Sequence, residues 1–528
     1  MEKENSKENI RRGRSTRTVM ICTMISRILG YVKIAIIGGI FGATGEADVL
    51  NAVFNIPNNL RKLTAEGALS SSFIPVLAGS VANKDDHAVT RNIVRNIMAL
   101  QFLVLIPICI LSIIYADFLT SRILLDFSDP AQKALAVSLF RWFISYILLV
   151  SISAVLIAVL NVYGYFMIPG LTPILFSIAV IFSILCLHKH LGVYSMVIGV
   201  LAGGLLQVLF QCPVFRRLGY DFKLSFDFKN EKFKRIMINW IPVVITSCIF
   251  AINQQIAMRF ASGLETGSSS AISYAVVFWN LPQGVFAVSF TSVLFPQMSK
   301  EWATGQLKEL SDTFTSGIVA LMGLLIPTTV IMYFLGYDII SIGMQRGSFT
   351  VDATAMTASV LQGYVCGLLG ASVFNFISRY YYSLDNYKKP FCFALLCGTI
   401  DVCLSLYLKE TALRVAGLAW ANTIAFTVCS CLMIADIRLH SKHFSVLGIM
   451  KELMRILPAV ALGTLPLLVF CHFFGSWWQE GLSVPYIGVF LAVCAVFAAV
   501  VLAMYKVLGL NALFMQWFSR RSKASDKL

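Results

Sequence analysis

Arg27 sits within an apolar stretch running from Thr18 to Ala43, and the Arg61-Lys62 pair lies in the next one, 47–80. A cation at mid-bilayer depth costs about 2.5–3.5 kcal/mol on insertion scales, so such residues mark a functional site by default. Glu66, one helical turn beyond Lys62, offers the pair a carboxylate partner, and Asp48 opens the same stretch. Basic charge placed inside a membrane bundle suits an anion, because Arg presents a planar fork of donors to phosphate or carboxylate oxygens. The alternative is that Arg61, Lys62 and Glu66 form a helix-stabilising ion cluster near the cytoplasmic face. Asp401 is the other intramembrane charge, with Ser405 one turn below it. It could bind Na⁺ or relay a proton, or it could be a hydrogen-bonded carboxylate facing a cavity.

The elements that must position these groups are membrane-spanning helices. The 528 residues are 58% hydrophobic and only 13% charged, far from soluble norms. About fourteen apolar stretches recur between 18–43 and 484–508, each long enough to cross ~30 Å of hydrocarbon. The expected fold is an all-α polytopic membrane protein of two pseudo-symmetric six-helix bundles plus two C-terminal helices. Its segments are a cytoplasmic tail 1–17, a first bundle 18–213, a basic linker 214–235, a second bundle 236–437, two further helices in 438–510, and a basic tail 511–528. Two halves around a central cavity is the usual plan of secondary transporters. The stretch 47–80 is longer than one span and is interrupted by Pro57.

Lys and Arg alternate along the connectors. The N-terminal tail holds Lys3, Lys7, Arg11, Arg12, Arg14 and Arg17, and the 214–235 linker holds seven basic residues against Asp221, Asp227 and Glu231. This positive-inside pattern puts both termini in the cytoplasm. The net charge of +15 then reads as attraction to the anionic leaflet, not to nucleic acid. The thirteen cysteines lie mainly inside apolar stretches with no C-x-x-C pair, and the six histidines have no ligand spacing, so neither metal site nor disulfide framework is expected. No Gly-rich nucleotide loop is present, which argues against an ATPase.

Ordered motifs run the length of the chain. Ser26-Arg27-Ile28-Leu29-Gly30, Ile40-Phe41-Gly42-Ala43, Ala47-Asp48 and Asn55-Ile56-Pro57-Asn58-Asn59-Leu60-Arg61-Lys62 are followed by Ala65-Glu66-Gly67-Ala68 and Phe73-Ile74-Pro75. Gly203-Gly204 with Gln207 and Gln211, Leu281-Pro282-Gln283-Gly284-Val285, Phe295-Pro296, and Gln345-Arg346-Gly347-Ser348-Phe349-Thr350 come later. This series resembles the MurJ/MviN lipid II flippases of the multidrug/oligosaccharidyl-lipid/polysaccharide exporter superfamily.

The resemblance implies alternating-access transport of lipid II, the lipid-linked peptidoglycan precursor, from the inner to the outer leaflet of the bacterial inner membrane. It carries the substrate site onto Arg27, Arg61, Lys62, Glu66, Ser26 and Asn58, and it gives the two extra C-terminal helices a groove for the polyprenyl tail. A headgroup with pyrophosphate cannot cross hydrocarbon without replacement of its hydration, and Arg27, Lys33, Arg61 and Lys62 would supply that replacement. Gly30, one turn from Arg27, leaves room for a bulky ligand. Asp48 lies about 20 Å along a helix from Arg61, toward the outer end, where it could pair with Lys33 when an external gate is shut. No cofactor is expected, only a coupling ion (Na⁺ or H⁺) or the membrane potential. The partners are lipid II and membrane lipids, and the expected state is a monomer.

One departure stands out. The family commonly carries Tyr-Ala-Asp-Arg where this chain has Tyr274-Ala275-Val276-Val277, so two charges are missing. Arg259 could supply a compensating cation, or it could be a snorkelling helix-end residue. Rival functions are another exporter of the same superfamily, multidrug or lipid-oligosaccharide, and a membrane-embedded polyprenyl-phosphate enzyme. The enzyme would need an acidic or His-rich cluster on an external loop, and these loops are short and lack one.

Overall fold

Runs of apolar residues with no water to satisfy their peptide groups must close their hydrogen bonds within each segment, which makes helices the default. The computed structural model describes residues 2–64, 68–82, 87–440, 444, 446–474 and 484–510, with side chains described from Cys22 onward. Among them every regular element is helical, as expected of an all-α polytopic protein. The chain divides into two compact units, Met1–Ser270 and Ala271–Leu528.

The first unit holds α1 (Glu2–Phe41), α2 (Gly45–Thr64), α3 (Ala68–Ala82), α4 (His87–Ile114), the single turn α5 (Ala116–Phe118), α6 (Pro130–Phe143), α7 (Tyr146–Val162), α8 (Met167–Leu191), α9 (Tyr194–Arg217) and α10 (Glu231–Ser262). Its best-defined core joins Phe73 and Leu77 of α3, Ile93 and Ile97 of α4, Val155 and Val159 of α7, Phe215 of α9, and Phe233 and Ile236 of α10. Glycines let α9 approach its neighbours closely. A Cβ on Gly199 would stand 2.8 Å from the Val180 backbone of α8, and one on Gly204 would stand 3.0 Å from the Tyr146 ring of α7. Small residues at such crossings are the usual basis of helix packing in membranes. α10 packs against α2 and α3 within this unit.

The second unit follows with α11 (Ser268–Pro282, its first turn shared with the first unit), α12 (Val288–Ala303), α13 (Leu307–Phe334), α14 (Gly336–Met344), α15 (Val351–Cys366), α16 (Leu368–Ser383), α17 (Lys388–Leu408), α18 (Arg414–His440), α19 (Val446–Phe474) and α20 (Val484–Val507). α15 and α16 are bent by 43° at Gly367. They hold α18 through interhelical bonds: Thr423 Oγ1 donates to Gly363 O at 2.6 Å and Ser430 Oγ to Gly370 O at 2.7 Å. The C-terminal pair α19 and α20 packs together. It is tied in place by the buried Tyr486 hydroxyl, which donates to Asp338 of α14 at 2.5 Å.

Among the described residues eleven helices are long and apolar enough to cross a membrane, or up to twelve if the bent α15–α16 pair is one span, against the fourteen expected. The stretch 47–80 explains part of the difference. It is two elements, α2 and the 15-residue α3, and α2 carries Asp48, Asn51, Asn55, Asn58, Asn59 and Arg61, which lower its hydropathy far below that of its neighbours.

Candidate functional site

Asp48, Asn51, Asn55 and Asn58 follow one another at intervals of three and four residues along α2, which places them on one helical face. Thr44 caps the helix, its Oγ1 accepting from Ala47 N at 3.3 Å. Asp48, only 3% exposed, accepts from the Gly267 N–H at 2.6 Å and the Ser270 N–H at 2.8 Å. Asn51 adds a bond from Nδ2 to Ser270 Oγ at 3.2 Å. The carboxylate therefore caps the first turn of α11, where unsatisfied amides and the helix dipole favour negative charge. Further along, Asn55 is buried and its Nδ2 lacks a hydrogen-bond partner among the described residues. Asn58 Oδ1 accepts from Arg61 Nε at 3.2 Å, an i,i+3 contact that orients the guanidinium.

α1 supplies the other half of the group. Ser26, Arg27 and Lys33 are all half-buried. Among the described residues the Arg27 guanidinium makes no hydrogen bond or ion pair, and a Cβ added to Gly30 would meet nothing within 4 Å. Lys33 Nζ lies 5.2 Å from the centre of the Phe176 ring on α8, within cation–π range. Arg61 is near enough to act on the Lys33 ammonium by like-charge repulsion. Lys33 of α1 and Arg61 of α2 are thus the two cations that face each other, while Arg27 lies six residues before Lys33 on α1, with open space at Gly30.

Several sequence expectations land elsewhere. Lys33 and Asp48 are not paired in this structure, since the carboxylate holds α11 and the ammonium rests on Phe176. Arg259 donates from Nη1 to Ile123 O at 2.9 Å, and Gln255 donates to Leu124 O at 3.0 Å. Both tie α10 to the π-helical turn Leu119–Leu124. Glu66 lies outside the described residues, and so does the Lys62 side chain. In the second unit Asp401 is buried on α17, accepting from Asn422 Nδ2 of α18 at 3.0 Å and from Ser405 Oγ at 3.4 Å. Asn422, Gly267 and Ser270 had no signal as partners, because each lies far along the chain from the carboxylate it meets. Asn51 and Asn55 did have one: their helical spacing with Asp48 in an otherwise apolar segment.

Comparison with known proteins decides the family. Residues 37–489 match the family model described as lipid II flippase MurJ. A probable lipid II flippase MurJ of Borreliella burgdorferi is 34% identical over 505 residues, covering 95% of this chain and 97% of the relative. The chain belongs to the lipid II flippase MurJ family. A lipid II flippase MurJ of Burkholderia cenocepacia is 26% identical, covering 97% of this chain and 99% of its own. Among solved structures, a lipid II flippase MurJ in an inward closed conformation superimposes with a TM-score of 0.77 at 22% identity, covering 94% of this chain and 99% of that one. An inward-facing multidrug resistance MATE family transporter of the MOP superfamily gives 0.66 at 15% identity, over 80% of this chain and 98% of that one. At these identities the two structures speak for the fold, and the MurJ family members specify the branch of it.

Proposed function

We propose that this chain moves lipid II from the inner to the outer leaflet of a bacterial cytoplasmic membrane by alternating access, as a transporter and not a covalent catalyst. Family membership supports the reading, and one observation on the chain itself carries it: Arg27 is half-buried with no partner among the described residues, beside open space at Gly30. A guanidinium held at membrane depth without a counter-ion is costly unless a ligand anion completes it. Pyrophosphate supplies that anion. Arg61, oriented by Asn58, and Lys62 and Lys33 share its charge, while Ser26 and the Asn face of α2 offer hydrogen bonds to the sugar and peptide portions.

Asp48 and Lys33 are the proposed gating pair. Asp48 holds the start of α11 in the present conformation, and release of that cap is the step that Lys33 would assist by attracting the freed carboxylate. Asp401, with Asn422 and Ser405 directed at it, is the proposed coupling site for Na⁺ or H⁺. Membrane potential acting on the basic cluster is the other energy source that fits. The protein acts as a monomer among membrane lipids, with both termini in the cytoplasm. Complementation in a lipid II flippase-depleted strain tests the assignment. Growth restored by the wild-type chain and not by Arg27→Ala supports it, and failure of the wild-type chain favours a multidrug or lipid-oligosaccharide exporter.

A further inference from the structure

The connector after α9 is pinned to α4 at both ends of a short stretch. Arg95 forms a two-pronged ion pair with Asp221, with Nε at 2.7 Å from Oδ1. Asn96 exchanges bonds with Asp227, donating Nδ2 to its carbonyl at 2.7 Å and accepting its N–H at 3.2 Å. His87 Nε2 meets Leu218 O at 2.9 Å. Gly219 at φ +81° makes the turn there, and a Cβ on it would come within 3.1 Å of the His87 ring. Between these anchors the side chains sort by position. Phe222 packs on Phe215 and Phe228 on Phe233, at 5.4 and 5.3 Å between ring centres. Leu224 and Phe226 instead stay 43% and 61% exposed.

Exposed apolar side chains on a fixed, non-helical connector need a cover, and their neighbours say which. Arg216, Arg217, Lys223 and Lys229 are all exposed around them and outnumber the exposed carboxylates Asp227 and Glu231, while Asp221 is spent on Arg95. We propose that residues 222–229 form a membrane foot that lays Leu224 and Phe226 into the interface of the cytoplasmic leaflet and binds its anionic phospholipid headgroups through Lys223, Lys229 and the α9 arginines. Apolar insertion and basic attraction are the two signals that together hold a peripheral segment on a membrane. The connector emerges directly from the membrane-crossing α9, so no travel is needed to reach that surface. The foot fixes the level of α4, α9 and α10 against the bilayer, and it does not depend on which substrate the protein carries.

The test uses the full chain, Cys-depleted, with Phe226→Cys carrying an environment-sensitive fluorophore, reconstituted into vesicles of phosphatidylcholine or of equal parts phosphatidylcholine and phosphatidylglycerol. Blue-shifted emission that lipid-borne quenchers reach, stronger in the phosphatidylglycerol vesicles, is expected. Lys223→Gln and Lys229→Gln should each lower the phosphatidylglycerol preference about fivefold, from the usual strength of one basic residue at an anionic surface. Emission typical of a water-exposed loop in both vesicles would overturn the proposal, and so would a preference unchanged by both lysine substitutions. Because labelling could disturb the foot, retention of phosphatidylglycerol by the unlabelled wild-type chain in detergent, compared with the double lysine variant, gives a second reading. Equal retention by the two proteins counts against the proposal.

Discussion

Asp48 and Gly267 lie 219 residues apart in sequence and are joined by a 2.6 Å hydrogen bond from the glycine amide to the carboxylate. With the Ser270 amide beside it, this makes the start of α2 the cap of α11. A charged acceptor holding two amides contributes about 1.5–3 kcal/mol per bond. Asp48→Ala should remove both bonds and destabilise the conformation in which α2 caps α11 by roughly ten- to a hundred-fold for each, with loss of transport. Asp48→Asn keeps one carbonyl acceptor and should retain part of the activity. Complementation at matched membrane levels reads the difference.

The capping arrangement also predicts how charge exchange behaves. Lys33→Asp combined with Asp48→Lys keeps opposite charges at the two positions but places a cation against the α11 amides, which can only donate. The double variant should therefore recover little of what Asp48→Lys loses. A double-mutant cycle isolates the coupling. Full rescue would show that attraction between positions 33 and 48 outweighs capping.

Gly30 gives a test of space separate from charge. Its missing side chain faces nothing within 4 Å, and glycine inside a helix costs about 1 kcal/mol relative to good helix formers. Gly30→Leu should leave thermal stability unchanged or slightly raised while transport falls at least about tenfold, the equivalent of 1.4 kcal/mol. A variant transporting at the wild-type rate would show that the open flank is not on the substrate path.

Outside the membrane, the connector carries a pH dependence whose sign is fixed. The Arg95 guanidinium holds the Asp221 carboxyl below the usual carboxylate range. A depressed value means that the ion pair stabilises docking above the unfolded aspartate value of about 3.9, and that this contribution is lost as pH falls through the folded value. Amide exchange in 218–230 should accordingly be protected at neutral pH and faster, after correction for intrinsic rates, in acid. Asp221→Asn should show the faster exchange at all pH values.

Much of this was readable in the residues. The apolar stretches mark the helices, and Arg27 and Arg61 mark the charged region because hydrocarbon penalises them wherever they point. The i,i+3 and i,i+4 spacing of Asp48, Asn51, Asn55 and Asn58 shows a polar face on α2. That same face lowers the hydropathy of α2, so the segment 47–80, read as one long stretch interrupted by Pro57, is not among the described helices that pass as spans by length and composition. Partners across the chain were not readable. Nothing local to Asp48 names Gly267, and nothing near Arg259 shows that it meets the Ile123 carbonyl of a π-helical turn. Such contacts depend on how whole helices pack, which short-range periodicity does not encode.

The most direct test is transport by the purified chain in proteoliposomes loaded with labelled lipid II, following its appearance in the opposite leaflet. The account predicts movement with the wild-type protein, none above empty vesicles with Arg27→Ala, and partial movement with Arg27→Lys, whose ammonium keeps the charge but lacks the two-pronged fork. Arg27→Ala moving lipid II at the wild-type rate would contradict it.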